Sequence, residues 1–151
     1  MQQETDYGFY EDLEEHLGMP VPRLWDHIHI DIKPMGKVRM TQNDHWKPSA
    51  KRYFAFADEL RWKIKETSIE LPEILSVTFL MPMPKSYFTP KGKIRKGKPH
   101  PGDVHRLKSD LDNLIKSLQD VLCKSDSHIH TYFFCRKRWA KKGGIVFHIK
   151  R

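Results

Sequence analysis

"KSDLDNLIKSLQDVL", residues 108–122, carries Leu111, Leu114, Ile115, Leu118 and Leu122 at i, i+3, i+4, i+7 and i+11. That spacing lines five aliphatic side chains along one stripe of a helix, so the stretch reads as an amphipathic helix laid on a core. Two aspartates, Asp110 and Asp112, stand at its start, and Lys116 follows one turn after the second. Aspartate is a good N-cap, and the helix dipole favours negative charge there. Those two effects account well for one aspartate and partly for the other. Lys116 lies on the face of Asp112, off the aliphatic stripe, where an ordinary surface pair is worth roughly 0.2–0.5 kcal/mol.

Working outward, "EILSVTFLMP" (73–82) is mostly apolar with β-branched Ile74, Val77 and Thr78, and it reads as a central strand ended by Pro82 and Pro84. After the helix, "HIHTYFFCRKRW" (128–139) and "GGIVFHIK" (143–150) read as two strands joined through "AKKGG" as a hairpin. Further upstream, residues Pro48 to about Glu66 place Tyr53, Phe56, Ala57, Leu60 and Ile64 on one helical stripe, with Lys and Arg on the other. "WDHIHIDIK" (25–33) alternates strictly, with Ile28, Ile30 and Ile32 on one face and His27, His29 and Asp31 on the other, as a half-buried strand does. A metal pair at His27 and His29 is the lesser reading beside a solvated strand face.

The order strand, helix, strand, helix, strand, strand implies an α/β (α+β) fold. It is a single domain, residues 23–151, with a mixed sheet, two main helices packed against it and a C-terminal β-hairpin. Residues 1–22 form an acidic N-terminal appendage. Within it "YEDLEEHLG" suits a short helix closed by Gly18, with Pro20 and Pro22 beyond.

A chain of 151 residues is long enough for one domain with its own core. No apolar run reaches the length of a membrane span, and the acidic start is unlike a secretory signal, so the expected setting is cytoplasmic. Cys123 and Cys135 lack metal-ligand spacing and read as buried thiols. Six of the 19 acids, and none of the 27 Lys and Arg, fall in residues 1–20, which leaves 27 bases against 13 acids in the remainder. A body so basic favours a polyanionic partner, nucleic acid first. Much of the charge sits in the Gly- and Pro-punctuated stretch 84–108, read as a long loop that is mobile when free and ordered against phosphates. Tyr87 and Phe88 beside it either stack on an opened base or pack the loop onto the core.

Asp126, just before the next strand, adds a third acid that only the tertiary fold could bring to Asp110 and Asp112. Two carboxylates about 5 Å apart repel by about 3 kcal/mol at an effective dielectric near 20. A cluster of three therefore needs raised pKa values or a cation, and a hard divalent ion is the natural partner. Asp120, one turn past Lys116, reads as a salt-bridge partner of Lys116 or a solvated acid. His100, His105, His128 and His130 match no established ligand spacing.

Lys108, Asp110, Asp112, Asn113, Leu114, Lys116, Asp120 and Leu122 together resemble the signature of RusA-type Holliday-junction resolvases. "SDSHI" (125–129) is similar to the acid-bearing opening of the family's next strand, with Asp126 as the retained acid, and "KPMGKVRMT" (33–41) to its basic segment after the first strand. Ser109 stands where the family has proline, Ser125 replaces one acid of a doublet, and the interval from Asp120 to Asp126 is shorter than the family's. The resemblance covers residues 26–150. It implies a homodimeric endonuclease that nicks opposing strands of a four-way DNA junction, with Mg2+ (or Mn2+) held by Asp110, Asp112 and Asp126, and with Lys116 as a functional lysine. It implies phage or prophage origin. Candidate DNA contacts are Lys37, Arg39, Lys91, Lys93, Arg95, Lys96, Lys98, Arg106 and Lys108. The alternatives are a metal-dependent nuclease for flaps or forks, and a structure-selective DNA-binding protein without catalysis.

Overall fold

A computed structural model describes residues 25–39, 41, 44–125 and 127–150. The proposed appendage 1–22 and Asp126 lie outside the described residues.

Four strands and two helices form the fold. They are β1 (Trp25–Ile30), α1 (Pro48–Thr67), β2 (Ile74–Pro82), α2 (Leu111–Leu122), β3 (Thr131–Ala140) and β4 (Gly144–Lys150), with a short 3-10 turn at Lys85–Tyr87. The sheet order is β1-β4-β2-β3, as the mixed-sheet reading expects. β4 runs antiparallel to both neighbours, and β2 is parallel to β3. α1 opens with Pro48, whose fixed φ suits the first helical position, and closes at Ser68 in the left-handed region (φ 56). Both helices lie on one face, where Tyr53, Phe56 and Leu60 of α1 and Leu114, Ile115 and Leu118 of α2 meet Val77, Phe79, Ile145 and Phe147. Each such side chain contributes roughly 1.5–3 kcal/mol when fully buried.

The expected C-terminal hairpin is corrected. β3 and β4 follow one another through three residues yet do not pair, because β2 lies between them. A Gly-Gly turn between two strands ordinarily signals a hairpin. Here residues 143–148 are buried on both faces of the sheet, a demand that only a central position meets. The glycines serve that insertion. A Cβ on Gly143 would stand 3.1 Å from the Lys33 backbone, and one on Gly144 would collide with Nε2 of His29.

On the face away from the helices, a row of polar side chains crosses all four strands. Arg136 Nε donates to Thr78 Oγ1 (2.9 Å), Thr78 Oγ1 lies 2.8 Å from His148 Nε2, and His148 Nδ1 lies 2.7 Å from His27 Nδ1. A guanidinium only donates, so Thr78 Oγ1 accepts from Arg136, and the directions of the two histidine bonds are set together by the tautomers of His148 and His27. His27 is thus half-buried in a network and not on a solvated strand face. Burial, then His27 and Arg136, hold His148 down at a pKa of about 3. Burial also lowers His27.

This fixes a direction for pH. Above about pH 6.5 both folded and unfolded histidines are neutral. As pH falls below that value the unfolded chain takes up the proton and the folded His148 does not, so stability declines down to about pH 3. Chemical denaturation between pH 7 and pH 5 should show a loss approaching about 1 kcal/mol per pH unit below 6.5. The slope should flatten in His148→Asn.

Candidate functional site

The strand directions decide where the loops go. β1, β2 and β3 all point one way, and each helix links two of them. α1 and α2 therefore both begin beyond the carboxyl ends of these strands, the end at which open α/β sheets place their sites. Three connections meet there, residues 31–47, 83–110 and 141–143, with 14 Lys and Arg against four Asp. The opposite end has residues 68–73, with two Glu and no base, and the described residues 123–125 and 127–130, with one Lys.

Asp110 and Asp112 open α2 at the basic end. Asp110 has the extended backbone of an N-cap (φ −67, ψ 148), yet its carboxylate accepts no capping bond. Capping therefore does not account for this acid, and among the described residues nothing bonds to or pairs with its carboxylate. Asp112 is exposed, with its Oδ2 3.9 Å from Lys116 Nζ, itself exposed. α2 is held by Leu114, Ile115, Leu118 and Val121 on its buried side, so the acids and Lys116 are free to serve solvent or a ligand. Two open carboxylates suit a hard divalent ion, since Mg2+ typically takes one or two and keeps several waters. No group of three metal-ligating side chains occurs among the described residues. Ser125 and Ser127, which flank Asp126, follow the far end of α2. Twelve residues of helix separate them from Asp110, about 18 Å along the axis.

The expected partner of Asp120 changes. Asp120 pairs with Lys37 at 2.5 Å, not with Lys116. That bond belongs to a clasp between α2 and the segment after β1. Asn113 Nδ2 donates to the Lys37 carbonyl (3.3 Å), and the Lys37 amide donates to the Asn113 carbonyl (3.4 Å). A Cβ on Gly36 would collide with Asn113 Nδ2, so glycine permits the approach. Lys37 is thereby engaged in structure, while Arg39 stays exposed at the same end.

The long basic loop is folded rather than structureless. Phe88 bridges Ile94, the Arg95 amide donates to the Tyr87 carbonyl, and Gly92 turns the chain at φ 81. Farther on, Gly102 donates to the Trp139 carbonyl and Trp139 to that of Asp103, which covers the outer edge of β3. Tyr87 packs against Trp139 with centroids 5.6 Å apart, and Lys98 Nζ lies 4.8 Å above the Tyr87 ring. Packing, not base stacking, is thus the role of Tyr87 in this structure. Arg95 Nε is drawn to the Ser86 carbonyl (3.1 Å), while Lys91, Lys93, Lys96, Arg106 and Lys108 are exposed. The histidines do not gather. His105 is buried against Trp139 and held below its usual pKa by burial and then Lys137. His128 bonds the Leu71 carbonyl at the other end of the sheet, and His130 stands 3.5 Å from Glu73 there.

Sequence reading misses Lys137. From β3 its Nζ donates to the carbonyls of Leu107 (2.7 Å) and Ser109 (2.6 Å), the residues that lead into Asp110. No local pattern announces it, since its two partners lie 28 and 30 positions away. Residues 31–150 match the family model described as Endodeoxyribonuclease RusA. No curated protein and no solved structure matches the chain. Lys137→Met should weaken Mn2+ binding to the acid pair about tenfold, a change of about 1.4 kcal/mol, in calorimetric titration. Its melting transition should fall by about 1–3 kcal/mol equivalent. Unchanged Mn2+ affinity would show that Lys137 does not position Asp110.

Proposed function

The chain belongs to the endodeoxyribonuclease RusA family, and from that premise we propose a divalent-metal-dependent endonuclease that resolves four-way DNA junctions by paired phosphodiester hydrolysis. One observation carries the reading. The Asp110 carboxylate, at the start of α2 beside Asp112, is not spent on capping and forms no ion pair among the described residues, and it stands at the basic end of the sheet.

In this mechanism Asp110 and Asp112 would hold Mg2+ or Mn2+. Such an ion, when bound, lowers the pKa of water and stabilises charge on a phosphodiester. The chain's own groups do the rest. Lys116, one turn along, neutralises part of the acid charge and meets the scissile phosphate. Lys137 fixes the carbonyls ahead of Asp110. Arg39, Lys91, Lys93, Arg95, Lys96, Lys98, Arg106 and Lys108 bind the flanking phosphates, and Lys37 contributes field while it clasps α2. Asp126 enters as the third ligand on the sequence pattern. Its described neighbours follow the far end of α2, so the homodimer is part of the proposal. A second copy gives an acid at that point of the chain a route to Asp110 and Asp112.

The test uses a synthetic four-way junction and a linear duplex of the same sequence. With Mg2+ the protein should place symmetric nicks in the junction alone, and EDTA should stop them. Asp112→Asn should lower cutting at least about 1,000-fold, equivalent to about 4 kcal/mol, while junction binding stays within a few-fold. Nicks confined to flaps or forks would redirect the substrate assignment. Tight binding without nicks in Mg2+ or Mn2+ would defeat the catalytic reading.

A further inference from the structure

The cations of α1 divide into two groups. Arg61 pairs with Asp58 (3.5 Å) and bonds the Val121 carbonyl, and Lys63 pairs with Glu59 (3.3 Å). Just ahead of the helix, Lys47 pairs with Asp44 (2.6 Å). Lys51, Arg52 and Lys65 are exposed and form no ion pair with an acid among the described residues. The helix dipole favours a cation at Lys65, in the last turn, and disfavours one near the start. Yet Lys51 and Arg52 stand near the start, and the first turn holds no acid to offset them. Helix stability therefore does not account for these two cations.

Open aromatic rings lie among them. Trp46, just ahead of the helix, is 82% exposed, Phe54 42% and Trp62 64%. With 3.6 residues per turn, Lys51, Phe54, Trp62 and Lys65 share the sector opposite the buried Tyr53, Phe56 and Leu60, and Arg52 flanks it. Asp58 falls in the same sector and is neutralised by Arg61. Ala55, also exposed there, leaves room beside the rings. The His45 ring lies parallel to Phe54, 6.2 Å away, which extends the aromatic surface toward Trp46. A single exposed apolar ring is ordinary. Two rings on one face, a third exposed ring just ahead of the helix, and cations unpaired among the described residues make the combination that holds unpaired nucleic-acid strands, with charge for phosphates and ring faces for bases.

We propose that this outward face of α1 binds an unpaired DNA strand next to the acid pair. The inference rests on the endonuclease reading above and adds a strand path to it. α1 and α2 begin at the same end of the sheet. Gly36 lies against Asn113 of α2, and residues 44–47 lead into the first turn of α1 at that same end. A strand held at Asp110 and Asp112 therefore starts from the end of the sheet at which Trp46 and Phe54 stand. A junction opened at its crossing point supplies such a strand.

The experiment uses the full chain carrying Asp112→Asn, without divalent metal, and measures binding of oligothymidylate by tryptophan emission and by anisotropy. Oligothymidylate should quench the emission. Trp46→Ala/Phe54→Ala should weaken its binding at least tenfold and leave the salt dependence unchanged. Lys51→Ala/Arg52→Ala should weaken it and reduce the slope of log affinity against log salt by about 1.4. All four side chains are exposed, and circular dichroism confirms that each variant is folded. Parent-like binding by both variants overturns the proposal. So does a change from dimer to monomer in the aromatic variant, which would make this face a contact between two copies. Because metal and cutting play no part, failure of the wild-type protein to nick any DNA would sink the endonuclease reading and leave this result standing separately.

Discussion

The parallel pairing of β2 with β3 is the constraint on which the site depends. Parallel neighbours cannot be joined by a tight turn, so the chain must travel back along the sheet before β3 begins. α2 is that return. It must start where β2 ends, and so Asp110 and Asp112 lie at the carboxyl ends of the strands. β1 and α1 obey the same geometry, and the two long basic connections are delivered to the same place. Charge polarity follows from strand direction, with 14 Lys and Arg at one end of the sheet and acid-rich turns at the other.

Much of this is legible in the sequence, because it depends on local periodicity. The stripe of Leu111, Leu114, Ile115 and Leu118 announces α2, and the alternation of Ile28 and Ile30 announces β1. The acid pair is legible for the same reason, since the start of a helix fixes two neighbouring side chains. What escapes is pairing between distant segments. "AKKGG" has hairpin chemistry, and nothing within that stretch reveals that β2 will occupy the space between the strands it joins. His27 reads as solvated until His148, 121 positions away, is placed beside it. Asp120 looks toward Lys116 along its own helix, and only the fold supplies Lys37. Lys137 is illegible in the same sense, because its partners are backbone carbonyls and carry no residue-type signal.

Two kinds of support hold the entrance to α2. From one side the clasp of Gly36, Lys37, Asn113 and Asp120 fixes the helix to the segment after β1. From the other, Lys137 ties down Leu107 and Ser109. Between these supports the Asp110 carboxylate has no partner among the described residues, and Asp112 has only the exposed Lys116 at 3.9 Å. A carboxylate mounted on a fixed helix start loses little freedom when a cation arrives, so binding is not charged with ordering the site.

The place of β4 has a consequence for folding. Among the described residues, β1 hydrogen-bonds to no strand except β4. Without β4, β1 is left unpaired beside a separate β2–β3 pair. The sheet closes only when β4 slides between them. Most of the chain must then wait as an open intermediate with bare strand edges on both sides of the gap. Closure of the sheet is gated by the entry of β4 between β1 and β2.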